Sequence, residues 1–419
     1  MEQVSKFSGY QILMTVCIAL IQFSVVLDFM VLSPLGPFVM KDLHINEQQF
    51  GVVVSAYAFS CCISAIVTAG FADRFDRKKM LLFFFSGFIL GTLLCAMSTS
   101  YAGLLAARIV TGIFGGVMGS ISMAIITDLF EQSKRGRIMG FVQMSFGVSQ
   151  ILGIPLGLWL TVQYDWHIPF YAIVGFAVLV LLLIVVKMKP VDGHLALQSN
   201  NNAFVHLWHT LKNKRYLRGF LATTLLATGG FMLMPFGSDF ALHNLKIKPE
   251  DLTPLYMITG VFTFFSTMAS GFLADKVGKM VMFTFGTVLS AIIVLIYTQL
   301  GPSPLWLIIV LNVVLFIGIN SRIVPAQALL TSVPEPKDRG AFMSLNSAVQ
   351  YLSGGISAFC AGLIVYKGED DTIHNYPILG IVVTCTMAVA LILMFRLSRM
   401  LKKPVDQTPK LENTDLLDQ

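Results

Sequence analysis

Of the 23 acidic residues, nearly all fall in polar stretches, and Asp28 alone sits near the middle of a long apolar run. At 1.5 Å per residue it would lie about 18 Å from the nearer end of a helical run. A carboxylate at that depth in hydrocarbon costs several kcal/mol if ionised and unpaired, so it must be protonated, hydrated in a cavity or paired. Such a group can carry a proton. The alternative is a carboxyl hydrogen-bonded to neighbouring hydroxyls that only fixes helix packing.

Three further charges fall inside apolar runs: Arg108, Asp239 and Arg322. Arg322 is the deepest cation, too far from an end to snorkel easily. It either neutralises Asp28 or clamps an anionic group of a substrate. Arg108 is closer to an end of its run, where snorkelling competes with pairing, and Asp239 reads equally as a cavity residue or a solvated helix end.

These charges need elements that cross a membrane. The chain has 55% hydrophobic and 12% charged residues, with a mean hydropathy of +0.75, which excludes an ordinary soluble domain. Twelve apolar stretches, from 11–40 to 376–398, are each long enough to span a bilayer, six on either side of a polar stretch at 188–216. The fold expected is all-α and polytopic, with a six-helix bundle over 1–187, a linker at 188–216, a second bundle over 217–400 and a disordered tail at 401–419.

The two bundles are related by duplication. GFADRFDRKK from Gly70 returns as GFLADKVGKM from Gly271, Pro34 and Gly36 fall on Pro235 and Gly237, and Lys134–Gly136 matches Asp338–Gly340. Asp28, Arg108, Asp239 and Arg322 then occupy the first, fourth, seventh and tenth spans, the leading members of four three-helix units. That arrangement predicts a polar central cavity lined by those spans. Gly112 and Gly116, with Gly115 and Gly119, and Gly153 and Gly157 around Pro155 have the small-residue spacing that lets helix backbones approach closely.

The net charge of +6 needs no nucleic acid. Among the cations, only Lys41, Lys246, Lys248 and Lys367 fall on the outer side if both termini are cytoplasmic, and the positive-inside rule selects that orientation. The first span is too long for the core of a cleaved signal peptide and is expected to remain. Phe204, Leu207, Trp208 and Leu211 share one helical face beside Lys212, Lys214 and Arg215, which predicts an amphipathic helix in the linker. The six cysteines lie within spans, the seven histidines in loops or at helix ends, and no phosphate-binding loop or zinc-ligand spacing occurs. Neither enzymatic chemistry, a metal nor a cofactor is expected, and a bacterial inner membrane is the expected location.

These residues resemble the major facilitator superfamily over nearly the whole chain, and within it the bacterial twelve-helix drug and sugar efflux permeases. The family signature between the second and third helices, G-x-L-A-D-R-x-G-R-K, is met by Gly70, Ala72, Asp73, Arg74, Arg77 and Lys78, with the spacing short by one residue and Asp76 where glycine is usual. The second copy keeps Gly271, Leu273, Ala274, Asp275, Gly278 and Lys279. The resemblance implies a cytoplasmic gate in which Asp73 and Arg77 join Asp128, lock the outward-facing state and separate when the halves rock. Arg108 with Gly112 resembles the R-x-x-x-G pattern tied to proton coupling, and Leu27, Asp28 and Pro37 resemble the first-helix signature of proton-coupled exporters. Gly153, Pro155 and Gly157 keep the elements of the fifth-helix exporter signature but not its order.

The expectation is an alternating-access monomer that exchanges protons, carried by Asp28 with Arg108, for a small organic solute bound among Asp28, Arg108, Asp239 and Arg322. Proton symport or facilitated uptake of an organic anion is the alternative, and a non-transporting membrane sensor is a third.

Overall fold

The computed structural model describes residues 7–69, 75–192, 203–335 and 338–402. Its helices are α1 (Gly9–Val31), α2 (Gly36–Asp42), α3 (Glu47–Ala69), α4 (Arg77–Ala96), α5 (Tyr101–Gly115), α6 (Met118–Leu129), α7 (Gln132–Val148), α8 (Ile154–Gln163), α9 (Ile168–Lys187) and α10 (Ala203–Lys212). The second half adds α11 (Lys214–Leu233), α12 (Gly237–His243), α13 (Pro249–Val277), α14 (Lys279–Tyr297), α15 (Leu305–Leu330), α16 (Arg339–Ile364) and α17 (Tyr376–Lys402). They make twelve helical spans long and apolar enough to cross a membrane among the described residues, arranged as two pseudo-symmetric six-helix bundles. The face that carries the start of α1 and the end of α17 is called the terminal face here, and its opposite the distal face.

The duplicated prolines account for a departure from the expected spans. The stretch 11–40 is not one helix: α1 stops at Val31, a turn carries Pro34, and α2 restarts at Gly36. In the other half α11 gives way to a 3-10 turn at Met234–Phe236, containing Pro235, before α12. A proline inside a helix lacks the N–H donor and crowds the preceding turn, so both spans break at the same register. The breaks meet across the molecule. A Cβ on Gly36 would stand 3.0 Å from the Phe50 ring and 3.4 Å from the Pro235 carbonyl oxygen, and Phe50 meets Phe236 edge-on at 6.2 Å. After each short helix one residue turns left-handed, His44 (φ 51°) and Lys246 (φ 57°).

On the distal face the bundles close on each other. α3 packs against α16, and α8 and the π-helical turn Ser149–Gly153 against α13. A Cβ on Gly51 would lie 3.0 Å from the Ala358 carbonyl oxygen and 3.1 Å from Gly362 Cα. Inside lipid, where apolar contact alone gives little preference for protein over tails, such small-residue packing is what holds helices together. A single apolar core containing Leu35, Phe50, Trp166, Phe236, Phe240 and Ala361 joins both halves here. Toward the terminal face the core divides: Ile18, Phe85, Ile121 and Ile184 belong to one cluster, Phe220, Phe283, Phe342 and Met394 to another.

Two features depart from the expectation, one a hairpin that the all-helical reading lacked and one in how the expected linker helix packs. A short antiparallel hairpin pairs Tyr366 with His374 and Lys367 with Ile373 between the last two spans. The linker helix forms as α10, but Leu207 enters the core of the second half while Trp208 stays exposed under the Lys212 ammonium, 4.7 Å from its ring. α17 runs through Lys402, two residues into the tail expected at 401–419, and 403–419 lie outside the described residues.

Candidate functional site

The central feature is a buried ion pair in the first half. Arg108 Nη1 donates to Asp28 Oδ2 at 2.9 Å, and the Thr92 hydroxyl donates to Asp28 Oδ1 at 3.1 Å. Asp28 is 0% and Arg108 1% exposed. The guanidinium also lies over the Tyr57 ring, 4.3 Å from its centroid, an orientation that attracts a cation. Arg108 Nε has no hydrogen-bond partner.

Glycines bring these side chains within reach. On Gly91 a Cβ would stand 2.6 Å from the Thr111 nitrogen, so α4, which carries Thr92, lies directly on α5, which carries Arg108. Gly112 and Gly116 lay the other side of α5 on the α3 backbone at Tyr57 and Cys61. Gly153 and Gly157 receive Leu27 and Val31 of α1 on either side of Asp28. Pro155 sits in the first turn of α8, just after the π-helical turn; the ring forces the local break in hydrogen bonding that the wider turn absorbs. The glycine pattern therefore does the packing that its spacing suggested, and the packing positions the charges.

The four intramembrane charges do not all pair with one another among the described residues. Asp28 and Arg108 pair with each other, which overturns the picture of Arg108 snorkelling toward an end. Arg322 stands apart in α15, 2% exposed, with Nε and Nη2 unpartnered. Asp239 lies beyond the proline break, on α12, and is carried into the distal closure. It is not a solvated helix end: it is 1% exposed and its Oδ1 lies 2.6 Å from His243 Nδ1.

That distal cluster was not legible in the sequence, because its members come from separated segments. Lys367 Nζ is 3.2 Å from His243 Nε2 and 2.6 Å from Asp371 Oδ1. Glu47, 6% exposed, begins α3 in the opposite half. The hydrogen bond from Lys367 holds Asp371 below the usual carboxylate range. The adjacent Asp370 is pushed down to about 2 by the Thr372 hydroxyl and by His374.

At the terminal face Arg77 Nε meets Asp128 Oδ2 at 3.0 Å. Both belong to the first half, so this pair braces α4 against α6 rather than bridging the halves, and it is intact while the distal face is closed. Asp76 caps α4 by accepting from Lys78 N at 2.8 Å and also accepts from Val191 N at 3.1 Å, while Lys78 Nζ donates to Met188 O at 2.5 Å. The aspartate that replaces the usual glycine thus ties the turn to the exit of α9. In the second copy Gly278 adopts φ 99°, a conformation side chains other than glycine rarely take, and joins α13 directly to α14. Gly271 and Asp275 lie in the last turns of α13, with Asp275 exposed. Gly70, Asp73 and Arg74 lie outside the described residues.

Thr92 and Tyr57 are the site residues that sequence reading missed. A threonine and a tyrosine in apolar spans carry no periodic signal, and only the approach of α4 and α3 to α5 gives them a role. Among the described residues no group of three or more His, Cys, Asp or Glu side chains is placed to hold a metal ion. What the site has is a buried carboxylate held against a buried cation.

Comparison with known proteins agrees with this architecture. A family model described as Major Facilitator Superfamily matches residues 18–358 and 220–416. The chain is 24% identical over 398 residues to the Bacillus subtilis (strain 168) protein named "Uncharacterized MFS-type transporter YceJ", covering 94% of this chain and 96% of the relative. It is 23% identical over 224 residues to a "Probable sugar efflux transporter" of Helicobacter pylori (strain G27), covering 53% and 56%. Among solved structures, a bacterial homologue of the human lysosomal transporter Spinster, described as inward-facing and occupied, superposes with a TM-score of 0.75 at 15% identity over 94% of this chain and 98% of that one. The nucleoside transporter NupG superposes with a TM-score of 0.72 at 13% identity over 92% and 99%.

Proposed function

The chain belongs to the Major Facilitator Superfamily, and from that premise we propose that this multi-pass membrane transporter exports a small organic solute in exchange for protons. The observation that carries the reading is the Asp28–Arg108 pair, sealed from solvent at membrane depth. When Asp28 takes a proton it loses its charge attraction for Arg108, which keeps the Tyr57 ring but no counter-charge. Protonation therefore changes the relative stability of two arrangements of α1 and α5, and a ligand or proton shifts such an equilibrium only by binding one arrangement better.

The distal closure and the divided core toward the terminal face suit the inward-facing member of an alternating-access pair. In this reading both termini are cytoplasmic, the membrane is the bacterial inner membrane, the monomer is the working unit, and Arg77 with Asp128 steadies the inner end of the first half while it rocks. Uptake of a small organic anion by symport or facilitation is the second reading, favoured by the unpartnered Arg322.

Proteoliposomes loaded with ethidium, lactose or benzoate and subjected to a pH step test both. Export by exchange predicts that an inward proton gradient accelerates loss of at least one probe, and that Asp28→Asn removes the acceleration while leaving gradient-independent exchange. Acceleration unchanged in Asp28→Asn would exclude Asp28 as the proton carrier. Accumulation of benzoate driven by the same gradient, beyond that in protein-free liposomes, would select uptake.

A further inference from the structure

We propose that Arg322 is the anion-binding subsite of the transported solute, and that the solute carries a compact anionic group such as a carboxylate. This rests on the transporter reading above but not on proton coupling at Asp28.

An arginine cannot shed its charge in a protein and has five donors to satisfy. Arg322 is 2% exposed, with Nε and Nη2 unpartnered, and no acidic side chain among the described residues pairs with it. A buried cation in that state is destabilising unless a counter-charge arrives. Its position is rigid: a Cβ on Gly286 of α14 would lie 2.6 Å from the Arg322 nitrogen, so the α15 backbone cannot retreat.

The duplication shows what is missing. The register that sets Pro34 on Pro235 and Gly36 on Gly237 also sets Asp28 on Gly229. In the first half an arginine of the fourth span meets the carboxylate of Asp28. In the second half an arginine of the tenth span, Arg322, lies ten residues past the position that Arg108 would take at the offset of 204 and points at a glycine. A Cβ on Gly229 would stand 3.5 Å from Arg322 Nη1, 3.5 Å from Val383 Cγ1 and 3.7 Å from Met387 Cε, all ordinary contact distances. The second half thus reaches this place with a cation from another turn, lacks the acid, and has space where the side chain of an acid would begin. A carboxylate brought by the solute completes in the second half the pair that the chain itself supplies in the first, with charge-assisted hydrogen bonds to the planar guanidinium.

Thermal unfolding of the purified full-length protein, with benzoate as probe and benzamide as its neutral counterpart in a low-salt zwitterionic buffer free of other carboxylates, tests this. Benzoate should raise the midpoint and benzamide should not. Arg322→Gln should weaken the apparent benzoate affinity about tenfold or more. Gly229→Asp should raise the midpoint without ligand and abolish the benzoate response, because its carboxylate occupies the subsite; Gly229→Asn, of equal size and no charge, should do neither.

Stabilisation by benzoate that survives both Arg322→Gln and Gly229→Asp overturns the assignment, as does no stabilisation by benzoate or methyl phosphate in the parent protein. A midpoint raised equally by chloride overturns the organic anion and leaves an inorganic counter-ion. A benzoate shift in the parent protein without gradient-accelerated solute loss in proteoliposomes would sink the coupling alone, and accelerated loss without a benzoate shift would sink the subsite alone.

Discussion

Neutralising Asp28 alone should destabilise the protein more than neutralising both members of its pair. Asp28→Asn preserves the shape and a partner for Thr92 but leaves Arg108, 1% exposed, as an uncompensated cation. At the observed 2.9 Å the attraction lost is roughly 6 kcal/mol for an effective dielectric of about 20. Desolvation of the two ions offsets most of that when the pair forms, so deletion of one partner is expected to cost about 3–5 kcal/mol. The Tyr57 ring, 4.3 Å from the guanidinium, retains about 2 kcal/mol of attraction in a desolvated site and pulls the expectation to the lower end.

Arg108→Gln should cost a similar amount, and the double variant should recover about 2–3 kcal/mol relative to the sum of the single changes. Reversible unfolding by titration with SDS in mixed micelles, run as a double-variant cycle at neutral pH, reads this coupling directly. A coupling below about 0.5 kcal/mol would mean that the two charges are solvated and independent, and the account of a sealed switch would fail.

Three other outcomes follow from the geometry. Gly51→Leu must drive α3 away from Ala358 and Gly362, which its Cβ alone would approach at 3.0 and 3.1 Å; spin labels at Gln48 and Tyr366 should move apart, and an unchanged distance would show that the distal face closes without that contact. Gly278→Ala should cost about 1 kcal/mol or more in the same SDS titration because of the positive φ, and Asp76→Ala about 1 kcal/mol through loss of the α4 cap. In the distal hairpin, Asp370 and Asp371 are both held below the ordinary 3.8, so their stabilising contribution is full above that value and fades as pH falls toward about 2. Amide exchange at Thr372 and Ile373, corrected for the intrinsic rate, should stay flat from about pH 7 to about pH 5 and rise only in that acid window; a rise near neutrality would place the controlling group elsewhere.

The sequence by itself determined the membrane class, the twelve spans and the duplication, because apolar length and the placement of charge between runs are local properties that lipid enforces span by span. It also set Pro34 on Pro235 as a repeated pair, but read 11–40 as one span, and the helix breaks at those prolines emerged only in the structure. It singled out Asp28, since a lone carboxylate in an apolar run is conspicuous anywhere.

Which partner Asp28 takes was a tertiary decision. By depth alone Arg322 was the better candidate, yet Gly91 lets α4 and α5 close to contact and Gly112 and Gly116 seat α5 on α3, and those approaches turn Arg108 onto Asp28. Gly229 opposite Arg322 leaves the second arginine without an acid. Asp239, read from its position near a span end, is buried because two halves close over it. Helix rotation, the distance between axes and the closure of one bundle on the other arise from contacts between residues far apart in the chain, and no period of the sequence encodes them.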